Sequence, residues 1–257
     1  MNSEKAQKVL VEICIDSVES ALAAQEGGAH RVELCDNLFE GGTTPSIGMI
    51  QAVRKAISID LHIIVRPRGG DFCYSGYEME VMKTDIAAAR AAGAQGVVIG
   101  VLEPEGRIDR TATQDLIACA RPLRVTFHRA FDMTRDPFEA LDTLIDLGVE
   151  RVLTSGLEAT AWEGADLIAA LTAHAGDRIV VMPGSGITER NVAKIVAQTG
   201  AREVHAGGSH VVESAMTFRN PRIGMGRALS APEYSKKLID SACIRSITHA
   251  IEDHPTS

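Results

Sequence analysis

The feature that most constrains the fold of this 257-residue chain is a glycine-led segment that recurs four times. The copies are Gly28-Ala29-His30-Arg31-Val32, Gly93-Ala94-Gln95-Gly96-Val97, Gly148-Val149-Glu150-Arg151-Val152 and Gly200-Ala201-Arg202-Glu203-Val204. Each follows an Ala- or Leu-rich stretch of helical periodicity and leads into a short apolar run. Glycine ends helices because the position after the last turn favours positive φ. Each copy therefore reads as a helix stop followed by an even-numbered strand, a quarter repeat.

The gaps between copies hold one more strand and one more helix. The spacing predicts strands over 9–14, 61–66, 124–128 and 179–182. It predicts helices near 18–25, 47–56, 77–91, 113–120, 137–147, 163–173, 189–198 and 232–251. Strict alternation of strand and helix implies a parallel sheet covered by helices. Eight such units in about 250 residues are the size of a (β/α)₈ TIM barrel, read here as one domain over 1–257. An open doubly wound sheet is the alternative, but no G-x-G-x-x-G follows the first strand.

Composition narrows the function classes. A formal net charge of −8 argues against nucleic acid or an anionic membrane surface as partner, since both need a basic face. No apolar run approaches the roughly 18 residues of a membrane span. The segment MNSEKAQK lacks the apolar core of a signal peptide, and five cysteines, an odd number, read as reduced thiols. The expected compartment is the cytoplasm.

A barrel keeps its chemistry at the carboxyl ends of its strands. Side chains alternate along a strand, so Val9, Val11 and Ile13 face the helices and Glu12 and Cys14 face inward. On the second strand Val32 and Leu34 point out, and Glu33 and Cys35 point in. The third strand runs into Arg66-Pro67-Arg68-Gly69-Gly70-Asp71-Phe72-Cys73. The fifth ends in His128-Arg129-Ala130-Phe131-Asp132, with Thr126 and His128 on the inward parity, and the eighth carries His205. Buried charges must pair with one another or with a ligand. The plainest expectation is that Glu12, Glu33, Arg66 and Arg68 knit the barrel as a salt-bridge network.

The turns Pro183-Gly184-Ser185-Gly186 and Ala206-Gly207-Gly208-Ser209 follow strands seven and eight. Glycine there lets backbone N–H groups approach an anion, although such turns also serve as plain connections. With Arg66 and Arg68 nearby, a phosphate or carboxylate is the expected ligand. Cys14 and Cys35 are candidate ligands for a soft ion such as Cu(I), or plain apolar filler. Cys73 is a candidate third ligand or redox partner, whereas Cys119, Cys243 and His249 fall on predicted helices as packing or surface residues. Lys55, Lys83 and Lys194 also fall on helices, which excludes a Schiff-base barrel enzyme.

ELCDNLFEGGTTPS (33–46), RPRGGDFCYS (66–75), TFHRAFD (126–132), RVLTSG (151–156), PGSGI (183–187) and EVHAGG (203–208) resemble the CutC family from the first strand to the last. Thr43 stands where many members carry leucine, and the chain departs from the pattern after EVHAGG. The resemblance implies a cytoplasmic (β/α)₈ barrel, often a homo-oligomer (dimer or tetramer). It also implies a role in copper tolerance, with Cu(I) on Cys14 and Cys35.

Two readings follow. The first is copper homeostasis through Cys14 and Cys35. The second is an enzyme acting on a small anionic metabolite, phosphorylated or carboxylated. Arg66, Arg68, His205 and the 184–186 and 207–208 turns would bind it, Glu12 or Glu33 would be the base, and His128 the acid oriented by Asp132. In that reading Glu33, His128 and His205 are also candidate ligands for a divalent metal. A scaffold without catalysis is the third, blander option.

Overall fold

The computed structural model describes residues 9–219, 222 and 235–252. Eight strands, β1 (Leu10–Ile15), β2 (Arg31–Leu34), β3 (Asp60–Ile64), β4 (Gly96–Ile99), β5 (Arg124–Phe127), β6 (Arg151–Thr154), β7 (Val180–Pro183) and β8 (Glu203–Ala206), pair in parallel. Their order is β7-β6-β5-β4-β3-β2-β1-β8, and a parallel bridge from Gly184 to His205 closes the ring. The seven helices between them are α1 (Val18–Glu26), α2 (Ile47–Ala56), α3 (Gly76–Ala91), α4 (Arg110–Ala120), α5 (Pro137–Asp146), α6 (Ala165–Ala175) and α7 (Val192–Thr199). The fold is a (β/α)₈ barrel, as the quarter repeat implies.

Local chemistry sets these elements. Ser17, Ser46, Asp109 and Asp136 accept backbone N–H groups at the starts of α1, α2, α4 and α5. Ser75 and Glu78 form a reciprocal capping box on α3. The four repeat glycines all take positive φ, between 66° and 91°, at the helix ends they were read to terminate.

The chain past β8 differs from expectation. In place of one helix over 232–251, Ser235–Ile239 is a strand (β10) that pairs antiparallel with β9 (Ser209–Glu213). Helix α8 then covers Ser241–Glu252, and residues 232–234 lie outside the described part. Ser-Lys-Lys-Leu-Ile resembles helix by composition, but its stability comes from the hydrogen-bond ladder to β9, a nonlocal partner that periodicity does not reveal.

Two separate apolar clusters confirm the alternation of side chains. The larger joins outward strand residues such as Val11, Ile13, Leu34, Leu61 and Val97 to the helices. The smaller lies inside the ring and consists of Cys35, Ile64 and Val98, with Cys14 against it. Much of the remaining interior is charged. Arg31 Nε donates to Glu12 and Arg31 Nη2 to Glu203, while Arg151 Nε reaches Glu203 at 3.0 Å. All four residues are at most 6% exposed. The arginines of the buried network are thus Arg31 and Arg151, not Arg66 and Arg68.

Arg31 bridges β1 and β8 by holding both carboxylates, so removing it leaves two buried anions short of a partner. Arg31→Met should cost on the order of 3–5 kcal/mol in urea unfolding. Arg107→Gln, which breaks a half-exposed pair with Glu139, should cost less than about 1 kcal/mol. Equal losses in the two variants would contradict this account of the core.

Candidate functional site

The carboxyl ends of β1, β2 and β8 bring five of the expected residues together. Cys14 Sγ lies 3.7 Å from Cys35 Sγ, too long for a disulfide of about 2.05 Å, so both thiols are free. The Cys14 and Cys35 sulfurs and a Glu33 carboxylate oxygen all fall within 4.8 Å of one another. His205 Nδ1 contacts Glu12 Oε1 at 2.8 Å, and His205 Nε2 lies 3.7 Å from Glu33 Oε2. The register explains the grouping: Cys14 pairs with Glu33 across β1 and β2, and Glu12 pairs with His205 across β1 and β8.

The electrostatics differ from residue to residue. The Cys14 thiol is lowered to about 6, chiefly by its hydrogen bond with Cys35 and further by His205, against the opposing effect of burial. Cys35 is pushed well up by the same hydrogen bond and by burial. Burial raises Glu33 to about 8. Burial also opposes charge on Glu12, but Arg31 and His205 outweigh it and hold the carboxyl well below its usual range. Burial likewise opposes charge on His205, but hydrogen bonds with Cys14 and Glu12 raise it well above the ordinary histidine value. Glu12 thus stands as an anion between Arg31 and His205, and the lowered Cys14 thiol favours the thiolate beside His205.

A second group sits around the loops after β3 and β5. Arg66, 5% exposed, donates through Nη1 to the carbonyls of Glu40 and Gly42 and through Nη2 to that of Gly70. Its Cζ lies 5.1 Å from the Phe72 ring centre. The His128 ring lies 5.1 Å from the same ring and accepts the Ala130 N–H at Nδ1. Burial, helped by the Arg66 charge, lowers His128 to about 3. Glycines on and just after β4 make room for two buried imidazoles, His128 and His62 on β3: a Cβ at Gly100 would come within 2.3 Å of the His128 ring, and one at Gly96 within 2.5 Å of His62.

Several expected residues have other partners. Asp132 does not orient His128; its carboxylate accepts from Thr154 Oγ1 at 2.5 Å, from the Ser155 N–H and hydroxyl, and from Arg129. Arg68 pairs with Asp71 of its own loop at 3.1 Å and with Glu78 in the first turn of α3 at 2.5 Å, which removes it as a free anion holder. In the two glycine turns, the Gly184 N–H goes to Thr154, the Ser185 hydroxyl goes to Ala159, and Gly186 fits against Thr160. Gly207 faces open space, and Gly208 lies against Ile244 and Cys243 of α8. Cys73 is not in the sulfur group, Cys119 is half-buried, and His249 is exposed beside Glu252. Parity was applied to Glu33 but not two residues earlier, where it would have found Arg31. The same rule places Glu203 beside His205.

The model of the CutC family matches residues 9–210. The chain belongs to the CutC family. The human copper homeostasis protein cutC homolog is 51% identical over 94% of this chain and 89% of its own length. CutC of Streptococcus agalactiae, 34% identical, superposes with a TM-score of 0.74 over 77% of this chain and 98% of its own. Thiamine phosphate pyrophosphorylase of Pyrococcus furiosus, at 14% identity, has a TM-score of 0.58 over 96% of this chain and 98% of its own, a likeness of fold alone. The match to the CutC model ends at residue 210, just where the β9–β10 ribbon begins.

The buried His128 gives this member a specific acid sensitivity. Its folded value of about 3 lies below the ordinary 6.5, so the unfolded chain takes up the proton first. That contribution to stability is complete above about 6.5 and is lost as pH falls towards about 3. Urea unfolding across this window should show a steeper decline for the wild type than for His128→Gln. Parallel pH profiles would exclude the effect.

Proposed function

We propose that this chain binds Cu(I) through Cys14 and Cys35 and serves copper homeostasis in the cytoplasm. The observation that carries the reading is the 3.7 Å separation of the two sulfurs. Two sulfurs on one four-coordinate ion, each at about 2.3 Å, lie about 3.8 Å apart, so both can ligate the same ion without moving the strands. Thiolates favour soft ions, and Cys14, with its value near 6, is already deprotonated at neutral pH.

Charge balance favours a monovalent ion. Cu(I) entering as the Cys35 proton leaves does not change the net charge of the site, because one positive charge replaces another. A divalent ion would add net charge to a closed, low-dielectric site unless Glu33 also lost its proton. The name carried by the human relative supports the same ion.

Two further parts of the proposal concern the setting. Five free cysteines suit a reducing compartment, and among the described residues no helix is long and apolar enough to cross a membrane. Self-association as a homo-oligomer would cover the exposed Val211, Met216 and Phe218 on and beyond β9.

An anaerobic Cu(I) competition titration tests the site. The reduced wild type should bind one ion and release about one proton, and the Cys14→Ser, Cys35→Ser double variant should bind at least about a hundredfold more weakly. Binding indifferent to both cysteines would overturn the proposal.

A further inference from the structure

Two motifs, RPRGGDF-Y and FHRAFD, have no part in a two-sulfur copper site. They place Arg66, Phe72, Tyr74 and His128 together. Arg66 and His128 are each 5% exposed, and among the described residues no carboxylate lies within ion-pair distance of Arg66. This contrasts with Arg31 and Arg151, whose charges are met by Glu12 and Glu203.

Among the described residues, three buried polar atoms in this group, Arg66 Nε, His128 Nε2 and Tyr74 Oη, make no hydrogen bond of good geometry, although the Tyr74 hydroxyl lies close enough to Arg66 to interact with it. Because His128 Nδ1 accepts from Ala130, the neutral ring carries its proton on Nε2, and both nitrogens are unmet donors. The phenol hydroxyl supplies a third. The Arg66 guanidinium and the His128 ring both flank Phe72, and the Tyr74 hydroxyl lies beside Arg66. A buried cation with no counter-ion is costly, and each unmet donor adds to that cost. An oxyanion would supply both the missing counter-charge and acceptors for these donors.

We propose that Arg66, Tyr74 and His128 form a binding site for a small carboxylate, separate from the sulfur pair. A singly charged oxyanion balances the one guanidinium, whereas a phosphate dianion would leave an excess negative charge, because His128 here is a neutral donor. Formate and acetate, the shortest carboxylates, are the probes. The two sites share a wall: Gly42 accepts from Arg66 Nη1 at 2.9 Å, and a Cβ on it would come within 3.3 Å of Cys35 Sγ. Occupancy of the carboxylate site therefore reaches the loop that covers one of the thiols.

The test uses the full-length, reduced, metal-free protein, so its outcome does not depend on copper binding. Histidine nitrogens are labelled, and the His128 Nε2 resonance is followed on addition of sodium formate, sodium acetate, sodium chloride or inorganic phosphate. Formate and acetate should give saturable shifts at millimolar concentration, with chloride and phosphate at least about tenfold weaker. Tyr74→Phe should weaken carboxylate binding about tenfold, and Arg66→Lys should abolish it. Tyr74→Phe remains decisive if Arg66→Lys does not fold, since it removes one hydroxyl and keeps the ring that packs there. No saturable shift would mean that water fills the site and would overturn the proposal. Preference for phosphate or chloride, or unchanged binding in Tyr74→Phe, would overturn it equally.

Discussion

Arg31 lies between Glu12 and Glu203 inside the barrel, and the arrangement of the mouth depends on it. The residue stands on β2, its partners on β1 and β8, so the ion pairs cross-link the three strands that carry the thiols and His205. With Glu12 held as an anion by Arg31, His205 keeps its proton, and the imidazolium in turn favours thiolate at Cys14. An arginine on the neighbouring strand thus adds, through Glu12 and His205, to the lowering of Cys14 that its hydrogen bond with Cys35 chiefly produces.

The interior has few apolar residues for a barrel of this size. Cys35, Ile64 and Val98 form a small apolar cluster with Cys14 beside them, Leu153 and Met182 are buried apart from the outer cluster, and many of the other inward side chains are charged or imidazole groups. Such an interior contributes less to stability than packed aliphatic layers would, because desolvation offsets much of the Coulomb attraction. What it provides is a set of fixed charges around two sulfurs. The apolar surface that stabilises the fold is on the outer face of the strands, under the helices. Stability and chemistry therefore occupy opposite faces of the same strands.

Legibility followed the range of the interactions. The glycine repeat and the alternation of side chains are local signals, and they revealed the barrel and the inward pointing of Glu12, Cys14, Glu33, Cys35 and His205. Arg31 and Glu203 obey the same alternation two residues before Glu33 and His205, and His62 does so four residues before Arg66. The partners of Asp132 and Arg68 were not legible. Asp132 faces the 154–157 turn, from a strand one unit further on, and Arg68 is neutralised by Asp71 of its own loop and by Glu78 of α3. Strand β10 was missed because a two-stranded ribbon is stabilised by its partner more than by its own sequence pattern.

The sequence by itself determined the eightfold alternation, the closure it implies, and which side chains leave each strand towards the centre. Those depend on backbone periodicity and helix-end sterics, which act over a few residues. Only the tertiary structure decided which inward groups meet: that the sulfurs stop 3.7 Å apart, that Arg31 rather than Arg66 neutralises Glu12, and that Arg66 is left without a counter-ion. Coulomb and hydrogen-bond energies fall steeply with distance, and those distances are set by strand register between residues up to 193 positions apart, as in the contact of Glu12 with His205.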